Sequence, residues 1–116
     1  MAKRTRRREK LKAPDSEYTD PEGNVLVLRG SLTPGSRADY AQALTANPLS
    51  REDAWQRAVE LLFERLAVRW EIAGAPIERQ RELLLRFRAA GPEQRAWIRD
   101  VIRRHCAEHF PDVNAP

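Results

Sequence analysis

The longest stretch of helical periodicity along the chain lies between residues 51 and 73. At about 100° per residue, its apolar side chains fall into two neighbouring stripes, with only a narrow polar strip opposite them. The first stripe consists of Trp55, Val59, Leu62, Leu66 and Trp70, and the second of Leu61, Val68 and Ile72. Gly74 and Pro76 follow, which is typical of a helix end. The pattern predicts a central helix over 51–73 that other elements contact from several sides.

Three shorter helices are predicted around this central one. Ser36 with Asp39 three residues later is a variant of the capping box and predicts a helix over about 36–45, before Pro48 breaks the chain. A further helix is predicted over 77–90, ending at Gly91. Pro92 suits the first turn of the last helix, which is predicted to run to about His109.

A β-hairpin is predicted before the helices. The sequence Asp20-Pro21-Glu22-Gly23 has turn chemistry, and the apolar run 25–28 has strand propensity, so 16–19 are expected to pair with 25–29. An isolated hairpin is only marginally stable in water, so it must pack on helices or pair with another chain. Strand addition of that kind makes Val25 and Val27 candidate partner-binding residues.

Together these elements predict a mainly α fold: an N-terminal β-hairpin followed by a compact bundle of about four helices. Residues 15–116 are expected to form this single domain. Residues 1–14 lack apolar periodicity and are expected to be a disordered arm.

Charge is distributed unevenly between the arm and the domain. Residues 1–12 carry seven basic side chains against one glutamate, whereas the other 104 residues carry 14 arginines against 16 acids. The sequence pI of about 9.8 therefore reflects the arm and not a basic fold. If the chain binds nucleic acid, the candidate residues are Lys3, Arg4, Arg6, Arg7, Arg8, Lys10 and Lys12. Such an arm strengthens binding to a polyanion but specifies no sequence by itself.

The cysteine count and the hydropathy of the chain bear on its cellular location. The single cysteine, Cys106, excludes a disulfide within the chain and fits a reducing compartment. Neither a membrane-spanning apolar run nor a secretory signal is recognised, so a soluble cytoplasmic protein is expected.

Two arginines interrupt the apolar arc of the predicted central helix. Arg65 and Arg69 are one turn apart. One interpretation is that their stems cover apolar surface while the guanidinium groups reach carboxylates or water. The other is that they form a cationic clasp for an acidic group of a partner or for a phosphate.

The last predicted helix carries two further candidate features. His105 and His109 are spaced i, i+4 beside Cys106, but zinc needs three or four ligands, so a metal would require a carboxylate or a second subunit. A place for these residues at the edge of the core is favoured instead. Arg95, Arg99 and Arg103 recur every four residues, which is typical of a solvated helix face.

Catalytic chemistry has little support in the sequence. We find no Gly-rich phosphate loop, nucleophile elbow, metalloprotease motif or paired-cysteine motif. The chain is therefore expected to be neither an enzyme nor a protein with a cofactor.

The segment Val25–Leu44 resembles the small tail-assembly chaperones of tailed phages and prophages. The matching positions are Leu28 and Arg29 at the end of a short strand, and Leu32 and Thr33 in a turn that leads into the first helix. The rest of the chain agrees only in being helical, and the family pattern does not require the basic arm. The resemblance implies a non-enzymatic assembly factor that self-associates and binds a tape-measure or tail-tube protein.

Two functional classes follow from these observations. A helical domain without a catalytic set favours a protein–protein interaction or assembly module. The alternative is a small nucleic-acid-binding protein that uses the N-terminal arm.

Overall fold

The N-terminal hairpin forms where its turn residues predict it. The computed structural model describes residues 13–45, 51–113 and 115, and its first two strands are β1 (Ser16–Thr19) and β2 (Val25–Leu28). They pair antiparallel, with Ser16 opposite Leu28 and Thr19 opposite Val25. In the turn, an Asp20 carboxylate oxygen accepts hydrogen bonds from the backbone N–H groups of Glu22 and Asn24. The predicted hairpin is confirmed.

The predicted helix over 51–73 is wrong in its last third. Helix α2 (Arg51–Leu66) ends early, and the chain continues directly into strand β3 (Ala67–Ile72) and then β4 (Ala75–Ile77). Gly74 does not end a helix but lies in the β3–β4 turn, where Ala73 and Gly74 both have positive φ. Strand β3 completes the hydrogen bonding of β2, which the hairpin alone would leave with one bare edge.

The four strands form one antiparallel sheet in the order β1-β2-β3-β4. The register of β2 against β3 shifts at one point: Val27 lies opposite Arg69 and Leu28 opposite Ala67, so Val68 is the extra residue of a bulge. The bulge keeps Ala67 and Trp70 on the same face of the sheet although they are three residues apart.

Two of the remaining helices begin at different residues from those predicted. Helix α1 (Pro34–Thr45) begins two residues early, because the Thr33 hydroxyl, and not Ser36, accepts the capping hydrogen bond, from the Ser36 backbone N–H. Helix α3 (Gln80–Ala89) begins after β4 instead of at Ile77.

The last helix, α4 (Pro92–His109), has the predicted bounds. The predicted break at Pro48 and residues 1–12 of the arm predicted over 1–14 lie outside the described residues.

One face of the sheet packs on helices. The row Tyr18, Leu26 and Trp70 lies on this face, where Trp70 meets Phe63 of α2 edge to face. Val101 and Ile102 of α4 and Leu83 of α3 complete the same core. In the part of the chain that the structure describes, the architecture is thus four helices with a four-stranded antiparallel sheet, a mixed α/β fold. The prediction of a helical bundle with a separate hairpin is correct for the hairpin and for about four helices among these residues, but it lacks the second half of the sheet.

Candidate partner-binding groove

A groove of about 730 Å³ lies between three helices of the described residues. The N-terminal half of α2, the C-terminal end of α3 and the N-terminal half of α4 form its walls. Its lining consists of Arg51, Glu52, Trp55, Gln56, Val59, Glu60, Phe87, Arg88, Pro92, Arg95, Ala96 and Arg99. We call it the Trp55 groove.

Trp55 is the exposed aromatic side chain of this groove. It is 44% exposed, whereas Trp70, from the same stripe of the sequence pattern, is fully buried. The two differ because Trp70 lies in the sheet between Phe63 and the Arg86 guanidinium, while Trp55 lies one turn into α2. Val59 and Phe87, both buried, form an apolar floor beside the indole.

Most arginines of the Trp55 groove form no salt bridge with a described residue. Seven arginines form salt bridges within the described residues: Arg37, Arg57, Arg65, Arg69, Arg79, Arg88 and Arg104. Of the groove's four, only Arg88 is among them, and its partner is Glu60. Arg51, Arg95 and Arg99 form no salt bridge with a described residue. With four arginines and two glutamates, the groove has a formal charge of +2.

Arg65 and Arg69, proposed from the sequence as a clasp, contact different groups. Arg65 donates a hydrogen bond to the Ser36 hydroxyl and lies 3.3 Å from the Asp39 carboxylate, so it joins α2 to α1. Arg69 belongs to β3, where its guanidinium lies 3.8 Å from the Glu17 carboxylate. Both guanidinium groups therefore reach carboxylates of the chain itself, as the first interpretation expects.

Val25 and Val27 lie on the sheet face opposite the core. Val27 is nearly buried, between Glu17 on β1 and Arg69 on β3. Strand β2 has a neighbour on each side, so its backbone cannot accept a partner's strand. The outer strands of the sheet are β1 and β4.

The histidine cluster of α4 is a hydrogen-bonded part of the core. His105 is fully buried; its Nε2 lies 2.6 Å from the Arg29 carbonyl oxygen and its Nδ1 2.7 Å from the Tyr18 hydroxyl. A carbonyl only accepts, so Nε2 carries the proton and Nδ1 accepts from the Tyr18 O–H. Burial is the main cause that lowers the pKa of His105.

His109 and Cys106, the neighbours of His105 on α4, also have partners or surroundings within the domain. His109 lies beside Ser16, with 3.3 Å between its Nε2 and the hydroxyl oxygen. Burial raises the pKa of Cys106 to about 11, so its thiol stays protonated. No group of three or more metal-ligating side chains lies within the described part of the chain.

The sequence pattern does not predict the Trp55 groove, because the pattern assigns the residues of the groove to separate elements. Trp55 was placed in the core stripe, and Arg95 and Arg99 on a solvated face. One signal was available: the residues one turn before Trp55, Arg51 and Glu52, are charged, whereas those at the same spacing before Trp70, Leu66 and Ala67, are apolar. Bringing α2 beside α4 required the tertiary fold.

None of the described helices is both long and apolar enough to cross a membrane. Comparisons with protein-family models, with curated proteins and with solved structures gave no match.

Proposed function

We propose that the protein is a non-enzymatic protein–protein interaction module whose partner binds in the Trp55 groove. The observation that carries this proposal is a half-exposed tryptophan surrounded by arginines without salt-bridge partners. Tryptophan and arginine are the residue types most enriched among those that dominate binding energy at protein interfaces. Three arginines that form no salt bridge with a described residue lie together in this groove, which makes it a surface suited to a ligand.

The chemistry of the lining favours binding over reaction. Its side chains are guanidinium, carboxylate, amide, indole and aliphatic groups, which recognise charge and shape. The buried histidine has both ring nitrogens engaged within the core and lies outside this lining.

A more specific form of this proposal is a cytoplasmic tail-assembly chaperone of a phage or prophage. Two features of the resembling segment support it: Val25–Leu28 is a strand, and Thr33 caps the helix that follows. The partner would then be a tape-measure or tail-tube protein.

In-cell photo-cross-linking tests the proposed function. A photoreactive amino acid at Ala96, inside the groove, is expected to capture a defined protein that is identified by mass spectrometry. The same group at Ala38, an exposed position of α1 outside the groove, is the matched control. Capture from Ala96 should disappear in a Trp55→Ala background. Identical captures from both positions, or capture of nucleic acid alone, would contradict the proposal.

Nucleic-acid binding through the arm is the second candidate function. It is favoured by one observation, the concentration of seven basic side chains in twelve residues. The arm lies outside the described residues, and its contribution is separable by deletion.

A further inference from the structure

We infer that the Trp55 groove binds an acidic, amphipathic helical segment of a partner protein, about two turns long. This inference rests on the proposed function and specifies the partner's chemistry. It follows from the charge, the apolar floor and the dimensions of the groove.

The positive charge of the groove favours a negatively charged ligand. Arg51, Arg95 and Arg99 have no carboxylate partner among the described residues, while Glu60 is already paired with Arg88. A ligand with carboxylates facing this rim gains salt bridges without displacing existing ones. The chain's own arm is excluded as the occupant, because its basic residues would be repelled by the cationic groove.

The apolar floor of the groove favours a ligand that also presents apolar side chains. The exposed indole of Trp55 shares the groove with the apolar side chains of Val59, Phe87, Pro92 and Ala96. Binding is strengthened when a partner's leucine, isoleucine or aromatic side chain removes this surface from water. The ligand must therefore present apolar side chains on one face and carboxylates beside them.

The shape of the groove favours a helix over an extended segment. Along α4 the lining runs from Pro92 to Arg99, about 10 Å at the helical rise of 1.5 Å per residue, which matches roughly two turns of a docked helix. All three walls are helices whose backbone groups bond internally, so an extended peptide would find no strand edge to pair with. A helix satisfies its own backbone and fits such grooves through anchors at i, i+3 or i+4, and i+7.

A nucleic acid fits the groove less well. A single indole offers one stacking position, whereas single-strand binders align several.

Selection from a random 14-residue peptide library tests the inference with the full-length protein. We expect enrichment of sequences with acidic residues beside apolar residues at helical spacing, and helical circular dichroism of an enriched peptide when bound. For such a peptide, Trp55→Ala and the double variant Arg95→Glu/Arg99→Glu are each expected to raise the Kd by about 30-fold or more.

The matched control is Arg81→Glu. Arg81 is an exposed arginine of α3 that forms no salt bridge with a described residue and does not line the groove, so its reversal changes the net charge by the same amount as a single Arg95→Glu variant. It should alter the Kd by less than about threefold, since only long-range attraction changes. If Arg81→Glu weakens binding as much as a single Arg95→Glu variant, the ligand responds to overall charge and the assigned site is wrong.

The other outcomes are equally decisive. Enrichment of basic or extended sequences, no enrichment, or tight binding of oligo(U) that depends on Trp55 would overturn the inferred occupant. So would a dimer in analytical ultracentrifugation that Trp55→Ala dissociates, because the occupant would then be a second copy of the chain. If selection fails while cross-linking from Ala96 still captures a specific protein, the proposed function stands and only the helical, acidic occupant is wrong. If both fail, both proposals are wrong.

Discussion

His105 makes the interior of the protein sensitive to pH. Its neutral ring donates to the Arg29 carbonyl through Nε2 and accepts from the Tyr18 O–H at Nδ1. Burial lowers its pKa, and the nearby His109 acts in the same direction, whereas the Arg29 carbonyl and Glu108 oppose the shift. The fold therefore holds the neutral form, and protonation at Nδ1 would remove the acceptor for the tyrosine hydroxyl.

We expect the free energy of unfolding to fall as pH is lowered from 7 to 5. An unfolded histidine has a pKa of about 6.5, so below that pH the unfolded chain binds a proton that the folded chain resists, and protons favour unfolding. Urea titrations at several pH values measure this. His105→Gln should be less stable than the wild type at pH 7 and show a shallower decline, because it removes the group whose pKa the fold lowers. Equal slopes in wild type and His105→Gln would contradict this assignment.

The two tryptophans of α2 and β3 should differ sharply in their contribution to stability. Trp70 is fully buried, so Trp70→Ala is expected to cost about 3–5 kcal/mol of unfolding free energy. Trp55 is 44% exposed, and Trp55→Ala should cost about 1 kcal/mol or less. Thermal or urea denaturation of both variants checks the pair. A Trp55→Ala variant as unstable as Trp70→Ala would mean that the indole belongs to the core and not to a groove.

At the scale of the element, the β3–β4 hairpin has a two-residue turn with an unfavourable residue. Ala73 has φ of 50° and Gly74 has φ of 81°, both in the left-handed region that a type I′ turn requires. Glycine adopts this region freely, but alanine does not. The turn is nevertheless tied to the first hairpin, because the Ala73 N–H donates to Asn24 Oδ1 at 3.0 Å.

We expect Ala73→Asn to raise the free energy of unfolding by about 1 kcal/mol, because asparagine tolerates left-handed φ and Asn-Gly is a favoured type I′ pair. If residues 51–73 were one continuous helix, the same change would instead lower stability by up to about 0.7 kcal/mol. The sign of the change in urea unfolding therefore distinguishes the two local structures. Gly74→Ala provides the opposite control and should destabilise.

The sequence predicted some elements well because a local signal decided them. The turn chemistry before Gly23 and the proline of α4 predicted a hairpin and a helix that the structure contains. The segment 67–72 was mispredicted because Trp70 is buried in either conformation, so the apolar pattern did not distinguish a helix from a strand. The segment forms a strand because it pairs with the open edge of β2, which lies about 40 residues earlier in the chain.

The candidate site could not be predicted from the sequence for a related reason. The exposure of Trp55 depends on how α2, α3 and α4 pack, and the unpaired state of Arg95 and Arg99 depends on where the other acids fall. The local pattern did anticipate that arginines on the central helix would reach carboxylates, as Arg65 does with Asp39. A groove assembled from three helices has no comparable local signal.

At the scale of the whole molecule, positive charge is divided between two parts that suit different ligands. The first twelve residues contribute a net charge of +6, and the rest of the chain is slightly acidic, with 14 arginines against 16 acids. Within that acidic remainder, the Trp55 groove is a local positive region. A polyanion is therefore expected to bind the arm through charge alone, while a folded partner binds the groove through charge and apolar contact together.

Deleting residues 1–12 separates these two activities. Wild-type protein is expected to bind duplex DNA weakly, with affinity falling roughly a thousandfold between about 50 and 200 mM salt if most of the arm's seven cations contact phosphates. The truncated chain should lose this binding because its remaining charge is negative, yet keep its affinity for a groove-binding peptide within about threefold. Fluorescence anisotropy with labelled DNA and labelled peptide measures both. DNA binding that survives truncation with an unchanged salt dependence would place the nucleic-acid contact on the folded domain, where Arg95→Glu/Arg99→Glu would then be expected to abolish it.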